Sequence, residues 1–236
     1  MDMRTVFEAI RIWANANEGF LTLALFVLTL LLGWVTGIFG ALRNRPSLKI
    51  AVLPGPTFVC TFPTGRKHQG HGTHRTAFCV YLTVTNRGSA PTDLVGPRLG
   101  YHNYTPRFTW FWCWLEHQTV ALSDFRVGIG DSLKVYPFLC QVNQLLPRAP
   151  TTYVRVGERA IGVVYFEQSE AWGGWLPRVV NDHTTVKIQI ADSYGRRHSR
   201  VVRIPVVPLE EARRYNPSFG STHEALQAGK TNSTGA

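Results

Sequence analysis

Three histidines spaced by three, His68, His71 and His74, form the densest set of metal-ligating side chains, in the run His68-Gln69-Gly70-His71-Gly72-Thr73-His74. Neutral imidazoles hold zinc or copper, and three in one glycine-containing loop would leave a coordination position open. Arg66, Lys67 and Arg75 flank the run. The same loop therefore also reads as an anion-attracting surface, which gains charge as imidazoles protonate below about pH 6.5. A solvated hairpin tip needs neither ligand and is the expectation we favour. Arg196, Arg197 and Arg200, around His198, form a second basic group in another predicted turn. Arginine far outnumbers lysine, and its planar fork suits bidentate contacts to phosphate. Here too a solvated turn is the plainer reading.

Trp110, Trp112 and Trp114 alternate with Phe111 and Cys113, so a strand would put the three indoles on one face. Buried, that face is core, which is the preferred expectation. Exposed, it would rest among lipid headgroups or stack on a base or sugar. Trp172-Gly173-Gly174-Trp175 is a second aromatic loop open to the same two readings. No G-x-S-x-G elbow, Walker loop, H-E-x-x-H run or Rossmann glycine pattern occurs. Glu167 ends a predicted strand and Glu170 opens a loop, so they are not read as an acid–base pair. Asp192, Ser193 and His198 share one predicted hairpin, where a nucleophile and its base are not normally aligned. The chain is expected to be non-enzymatic and to need no cofactor.

Four cysteines, Cys60, Cys79, Cys113 and Cys140, include no C-x-x-C pair, which removes the usual zinc and thioredoxin patterns. Phe58, Cys60 and Phe62 alternate on one strand face, and Phe78, Val80, Leu82 and Val84 on another. If both apolar faces line one core, Cys60 and Cys79 point apart and cannot bridge. Reduced, structural thiols are expected.

These residues must be positioned by the rest of a 236-residue chain with net charge +10 and a pI of about 9.8. At 44% hydrophobic residues it can bury a core, so wholesale disorder is excluded. From Pro46 onward 21 Lys and Arg stand against 12 Asp and Glu. Such a surface attracts anionic headgroups or nucleotides, or serves solubility alone. Residues 20–42 carry no charge and are rich in Leu, Val and Phe. As a helix they would run about 35 Å, enough to cross a hydrocarbon core of about 30 Å. Arg43, Arg45 and Lys49 follow this span, whereas Arg4 and Arg11 precede it. The basic excess predicts an inner (plasma) membrane protein with the following domain in the cytoplasm; the reverse, a signal anchor with the domain outside, is the alternative. Thr29, Gly33, Gly37 and Ala41 recur every four residues, a small-residue face of the kind that lets membrane helices associate, although G-x-x-x-G also arises by chance. Residues 1–19 form either a short amphipathic helix, with Val6, Phe7, Ile10 and Trp13 on one side, or an extension of the anchor.

After Pro46 the period becomes two. Strands are expected at 48–52, 57–62, 76–85, 93–102, 108–115, 119–127, 132–140, 153–156, 160–168, 184–191 and 199–207, separated by turn clusters such as Asn86-Arg87-Gly88 and Asp192-Ser193-Tyr194-Gly195. Many short strands without intervening amphipathic helices predict an all-β antiparallel sandwich or barrel over residues 46–208. Residues 209–215 could form a helical turn or two, and 220–236 read as a polar, disordered tail.

Two stretches sharpen the fold class. Val80-Tyr81-Leu82-Thr83-Val84-Thr85-Asn86-Arg87-Gly88-Ser89-Ala90-Pro91 resembles the strand and turn of immunoglobulin-like modules of the adhesion and CARDB type. Residues 186–206 resemble the closing hairpin of such sandwiches. The whole arrangement also resembles uncharacterised bacterial single-pass membrane proteins with a cytosolic sandwich. The resemblance implies an immunoglobulin-like β-sandwich and carries no site over.

The function expected from these features is a membrane-anchored binding or assembly module that presents a basic sandwich to a cytosolic partner or anionic ligand. Expected partners are the membrane, a second copy of the chain, and an anionic lipid, nucleotide or protein; specific nucleic-acid binding is not expected. Two rivals are a membrane-disrupting effector that clusters through its helix on ligand binding, and an envelope structural protein with an external sandwich.

Overall fold

The computed structural model describes residues 3–35, 37, 44–116, 120–129, 132–145, 150 and 152–220. The chain divides into two units, residues 1–45 and 46–236.

The first unit is helical. α1 (Met3–Ala16) and α2 (Glu18–Val35) meet at Asn17, whose side-chain amide donates to the Trp13 carbonyl at 2.8 Å while Leu21 N–H returns to the Asn17 carbonyl. α2 is 18 residues long, apolar all round, and none of it is buried. It is long and apolar enough to cross a membrane, at about 27 Å by helical rise. That is shorter than the 23-residue span read from composition. Gly37 supplies the reason: it lies past the helix at φ +74°, with its N–H on the Trp34 carbonyl at 3.2 Å. A left-handed glycine at this place ends a helix. Gly37 therefore does not continue the face started by Thr29 and Gly33, and Ala41 lies outside the described residues. Thr29 uses its hydroxyl within the helix, on the Leu25 carbonyl at 2.7 Å.

The second unit is mostly strand, in antiparallel sheets. β1 (Leu48–Val52), β2 (Phe58–His68) and β3 (His71–Asn86) open it. β3 is the axis of the first sheet, pairing with β1 and β2 on one edge and with β10 (Arg159–Glu167) and β11 (Ala171–Trp172) on the other. The second sheet is built on β13 (His183–Ala191), which pairs with β14 (Arg197–Pro205) on one edge. Its other edge carries β5 (Val95–Tyr101) and the short β12 (Val179–Val180). β6 (Cys113–Leu115) lies beyond β5. Two small ladders, β4 (Thr92–Asp93) with β9 (Tyr153–Val154) and β7 (Phe125–Ile129) with β8 (Ser132–Tyr136), complete the strands.

Phe78, Val80, Leu82 and Val84 of β3 are fully buried against Leu99, Tyr101, Val186, Ile188 and Ile190 of the second sheet. The opposite face of β3 is buried as well. Ala77 and Cys79 join Phe58, Cys60 and Phe62 in a second cluster, closed by Leu122, Phe125, Tyr136 and Phe219. Two buried faces explain why the one-core expectation for Cys60 and Cys79 fails. They lie on the same face, diagonally across a register that pairs Phe58 with Cys79 and Cys60 with Ala77. All four cysteines are free. Burial pushes the Cys60 thiol up to about 11, with Glu210 adding to and Arg213 opposing the rise, and the Cys140 thiol up to about 12. Neither is a nucleophile at neutral pH.

Two expected elements change. Residues 108–115 are not one strand, because Pro106 opens the short helix α3 (Pro106–Trp110) and only β6 remains extended. Proline pre-sets the helical φ at a first turn, and here that outweighs the alternation. The domain also does not end at residue 208. α4 (Leu209–Tyr215) buries Ala212, and Phe219 is fully buried with its ring 5.4 Å from Phe58 and 5.8 Å from Tyr165.

Candidate functional site

β2 and β3 are joined by Gln69 and Gly70, both at positive φ, the geometry of a tight two-residue hairpin. His68 and His71 are direct cross-strand partners. His74 is three residues further along β3, and side chains three apart in a strand point to opposite faces. The histidine trio is thereby split. His68 instead stacks on Trp172, centroids 4.0 Å apart, and His74 is partly buried, which lowers its proton affinity. No three potential ligands converge among the described residues.

The cations of this hairpin are largely engaged. Arg75 pairs with Glu167 at 2.8 Å, and the Tyr165 hydroxyl donates to the same carboxylate at 2.7 Å. Arg66 pairs with Glu170 at 3.3 Å. Hydrogen bonds from Thr73 and Thr64 hold the Glu170 carboxyl below its usual range against the opposing effect of desolvation, with a lesser contribution from Arg66. Lys67 forms no ion pair among the described residues.

The second basic group is divided by its register. Arg196 sits in the β13–β14 turn, Arg197 opposes Ala191, and Arg200 opposes the buried Ile188, so Arg197 and Arg200 lie on opposite faces. His198 is structural. Its Nδ1 accepts from the Leu48 N–H at 3.3 Å, which places the proton on Nε2, and Nε2 donates to Asp192 at 2.9 Å. Asp192 also accepts from the Tyr194 and Arg196 amides. Burial works to raise its pKa, but the bonds from His198 and those amides outweigh it and hold it below the usual value. Ser193 turns elsewhere, to Thr92 and the Asp93 N–H at 2.8 Å, so no nucleophile meets the His198 imidazole.

What the fold assembles is the outer face of the second sheet. Because Val186, Ile188 and Ile190 point inward, Lys187 and Gln189 point out, as do their neighbours Arg197, Ser199, Val201 and Arg203 on β14. Leu99 and Tyr101 point inward on β5, leaving Arg98, Gly100 and His102 outward beside Trp112 and Trp114. The Arg98 guanidinium lies 4.3 Å from the Trp114 ring centre and its Nε donates to Gln189 at 2.7 Å. Lys187 Nζ is 5.8 Å from the Trp112 ring, which stacks on His102 at 4.1 Å. Trp114 lies flat over Gly100, where a Cβ would come within 3.1 Å of the indole. Burial, then the charge of Arg197, lowers the Arg98 proton affinity, with Glu116 opposing. No strand of this sheet contains an Asp or Glu.

Of the five tryptophans singled out in sequence, Trp112 and Trp114 are brought together, centroids 6.3 Å apart. Trp110 leaves them for α3 and is 83% exposed. Trp172 lies on β11, and Trp175, in a one-turn 3-10 helix, packs on Phe108 at 5.6 Å. Sequence reasoning missed Arg98, Lys187 and Arg203, which are scattered singly over 105 positions. Their shared alternation opposite buried Leu99, Ile188 and Ile204 was the available signal.

No family model matches the chain, and no curated protein matches it. Among solved structures, a Bordetella pertussis protein provisionally named ApaA is similar at 9% identity and a TM-score of 0.28, covering 69% of this chain and 96% of that one. A structural-genomics target designated SoR45 is similar at 6% identity and a TM-score of 0.27, covering 70% of this chain and 89% of that one. Likenesses this low carry no argument about fold or function.

Proposed function

We propose that the protein is a membrane-anchored, non-enzymatic binding module, whose immunoglobulin-like sandwich presents the outer face of its second sheet to an anionic ligand in the cytoplasm. The observation that carries the reading is that face's composition: Arg98, Lys187, Arg197 and Arg203 share it with Trp112 and Trp114, and none of its strands holds a carboxylate. Cations laid over indoles keep their charge available while their stems are held in place. With no acid in its strands and Glu116 just past the end of β6, the face gives a polyanion little repulsion to avoid. Tethering through α2 is supported by its length, its lack of a polar face and the absence of any buried residue in it. The test is the salt dependence of polyanion binding by the full-length protein in neutral detergent. Binding that weakens steeply with salt and is lost when these four cations become Gln supports the reading; binding indifferent to them ends it.

A further inference from the structure

Where the two sheets part at β6 and β11, a cleft of about 380 Å³ opens, within the range of about 300–1,000 Å³ usual for small-ligand sites. Trp114, Trp172 and Trp175 contribute to its wall, and among the described residues no Lys, Arg or His lines it. The one carboxylate among its described lining residues, Glu170, is already occupied by Thr64, Thr73 and Arg66. The cleft thus offers apolar ring surface without a free charge, unlike the outer sheet face.

Two polar atoms in the wall lack partners. Gln168 is 6% exposed; its backbone N–H is held by the Thr76 carbonyl and its Nε2 reaches the Trp175 carbonyl at 3.4 Å, but its Oε1 accepts nothing. Tyr101 is 0% exposed, and its hydroxyl neighbours the Cys113 thiol and the Asn103 side chain without a well-formed hydrogen bond to either. Burial keeps that hydroxyl protonated, so it remains able to donate. A buried, unmatched acceptor or hydroxyl costs about 1–3 kcal/mol, and a neutral apolar side chain of similar shape would avoid the cost. Both residues line one cleft with three tryptophans, which calls for a ligand that completes them.

We propose that this cleft binds a small uncharged heteroaromatic ring, the donor–acceptor edge of a nucleobase or similar N-heterocycle, whose N–H donates to Gln168 Oε1 and whose ring acceptor takes the Tyr101 hydroxyl. The indoles supply stacking or edge contacts, which suit a planar ring. The cleft shares Trp114 with the anionic face but none of its four cations, so binding here does not require that face to hold a polyanion.

The test uses the full-length protein in neutral detergent with adenosine, guanosine and uridine as probes and glucose as a non-aromatic contrast, read by calorimetry and saturation-transfer NMR. At least one nucleoside is expected to bind with a dissociation constant below about 1 mM. Tyr101→Phe and Gln168→Leu should each weaken it about tenfold, because each leaves a ligand polar group unmatched. Their thermal midpoints should equal or exceed the parent's, because each removes an unsatisfied buried group. The proposal is overturned if no nucleoside binds up to about 5 mM, if glucose binds as well as the best nucleoside, or if neither variant weakens binding. It is equally overturned if both variants lose stability, since the two polar groups would then serve the fold.

Discussion

Replacing Arg98, Lys187, Arg197 and Arg203 together by Gln removes four cations from the outer face of the second sheet while keeping stems to cover Trp112 and Trp114. A single-stranded thymidine oligonucleotide serves as a flexible polyanion of known charge spacing rather than as the ligand itself. Each phosphate neutralised on a single strand releases about 0.7 counterion, so four cations predict log K falling against log salt with a slope of about −2.8. Between about 50 and 200 mM salt that is a loss of roughly fifty-fold in affinity. The readout is anisotropy of a labelled oligonucleotide titrated with the detergent-solubilised protein at several salt concentrations. The fourfold variant should bind weakly at the lowest salt, with a slope shallower than about −1. Arg197 and Arg203 are exposed, and Arg98 and Lys187 are half-buried on the outer face rather than in the core, so circular dichroism should barely change and the thermal midpoint should fall only slightly. If the variant keeps a slope within about 0.5 of the parent's, the anion-attracting charge lies elsewhere and the assignment of this face is wrong.

Three further outcomes follow from the packing. Phe219→Ala should destabilise the domain by about 3–5 kcal/mol, because the ring is fully buried between Phe58, Phe62, Phe125 and Tyr165. For a unit of this size the thermal midpoint should fall by roughly 6–20 °C, and a fall under about 2 °C would make the C-terminal segment peripheral. Gly162→Ala places a Cβ 2.8 Å from the Pro137 carbonyl oxygen and 2.9 Å from Leu139. Backbone cannot give way there, so a loss of about 1–3 kcal/mol is expected in chemical denaturation. Asp192→Asn should cost roughly 1.5–3 kcal/mol at pH 7 by removing the charge that His198, Tyr194 and Arg196 share. The folded pKa of Asp192 is depressed. Its contribution is therefore present above the unfolded value near 3.9 and disappears as pH falls through the folded pKa. The stability gap between parent and variant should close below about pH 4; a gap unchanged at pH 3 would assign it to packing instead.

The parts of the fold that could be read from sequence are those set by neighbours in the chain. The alternation of Phe78, Val80, Leu82 and Val84 needs only one buried face to declare a strand; β10 and β13 fall within one residue of their patterns, and β3 begins five residues before its own. The uncharged run before Pro46 likewise declares a helix. The errors arose where a local cue competed with that pattern. Pro106 turned the start of an alternating aromatic run into α3, which took Trp110 away from Trp112 and Trp114. Gly37 ended a helix whose hydropathy ran on. The histidine spacing of three suits a loop, but a two-residue hairpin made it strand, and strand geometry sends His71 and His74 to opposite faces.

The sequence by itself determined the division at Pro46, the helical and β character of the two units, and the basic balance of the second. Each follows from composition or from a period of two or 3.6, and neither requires knowing what lies across the core. Only the tertiary structure decided which residues meet. Cys60 and Cys79 share a face because the first sheet is covered on both sides, a fact about Phe219 and Phe125 rather than about either cysteine. Arg98, Lys187 and Arg203 become one surface with Trp112 and Trp114 because β13 joins β5 to β14 across some 90 intervening residues. Contacts between strands distant in the chain are fixed by register and by the second buried layer, and no short-range pattern carries that information.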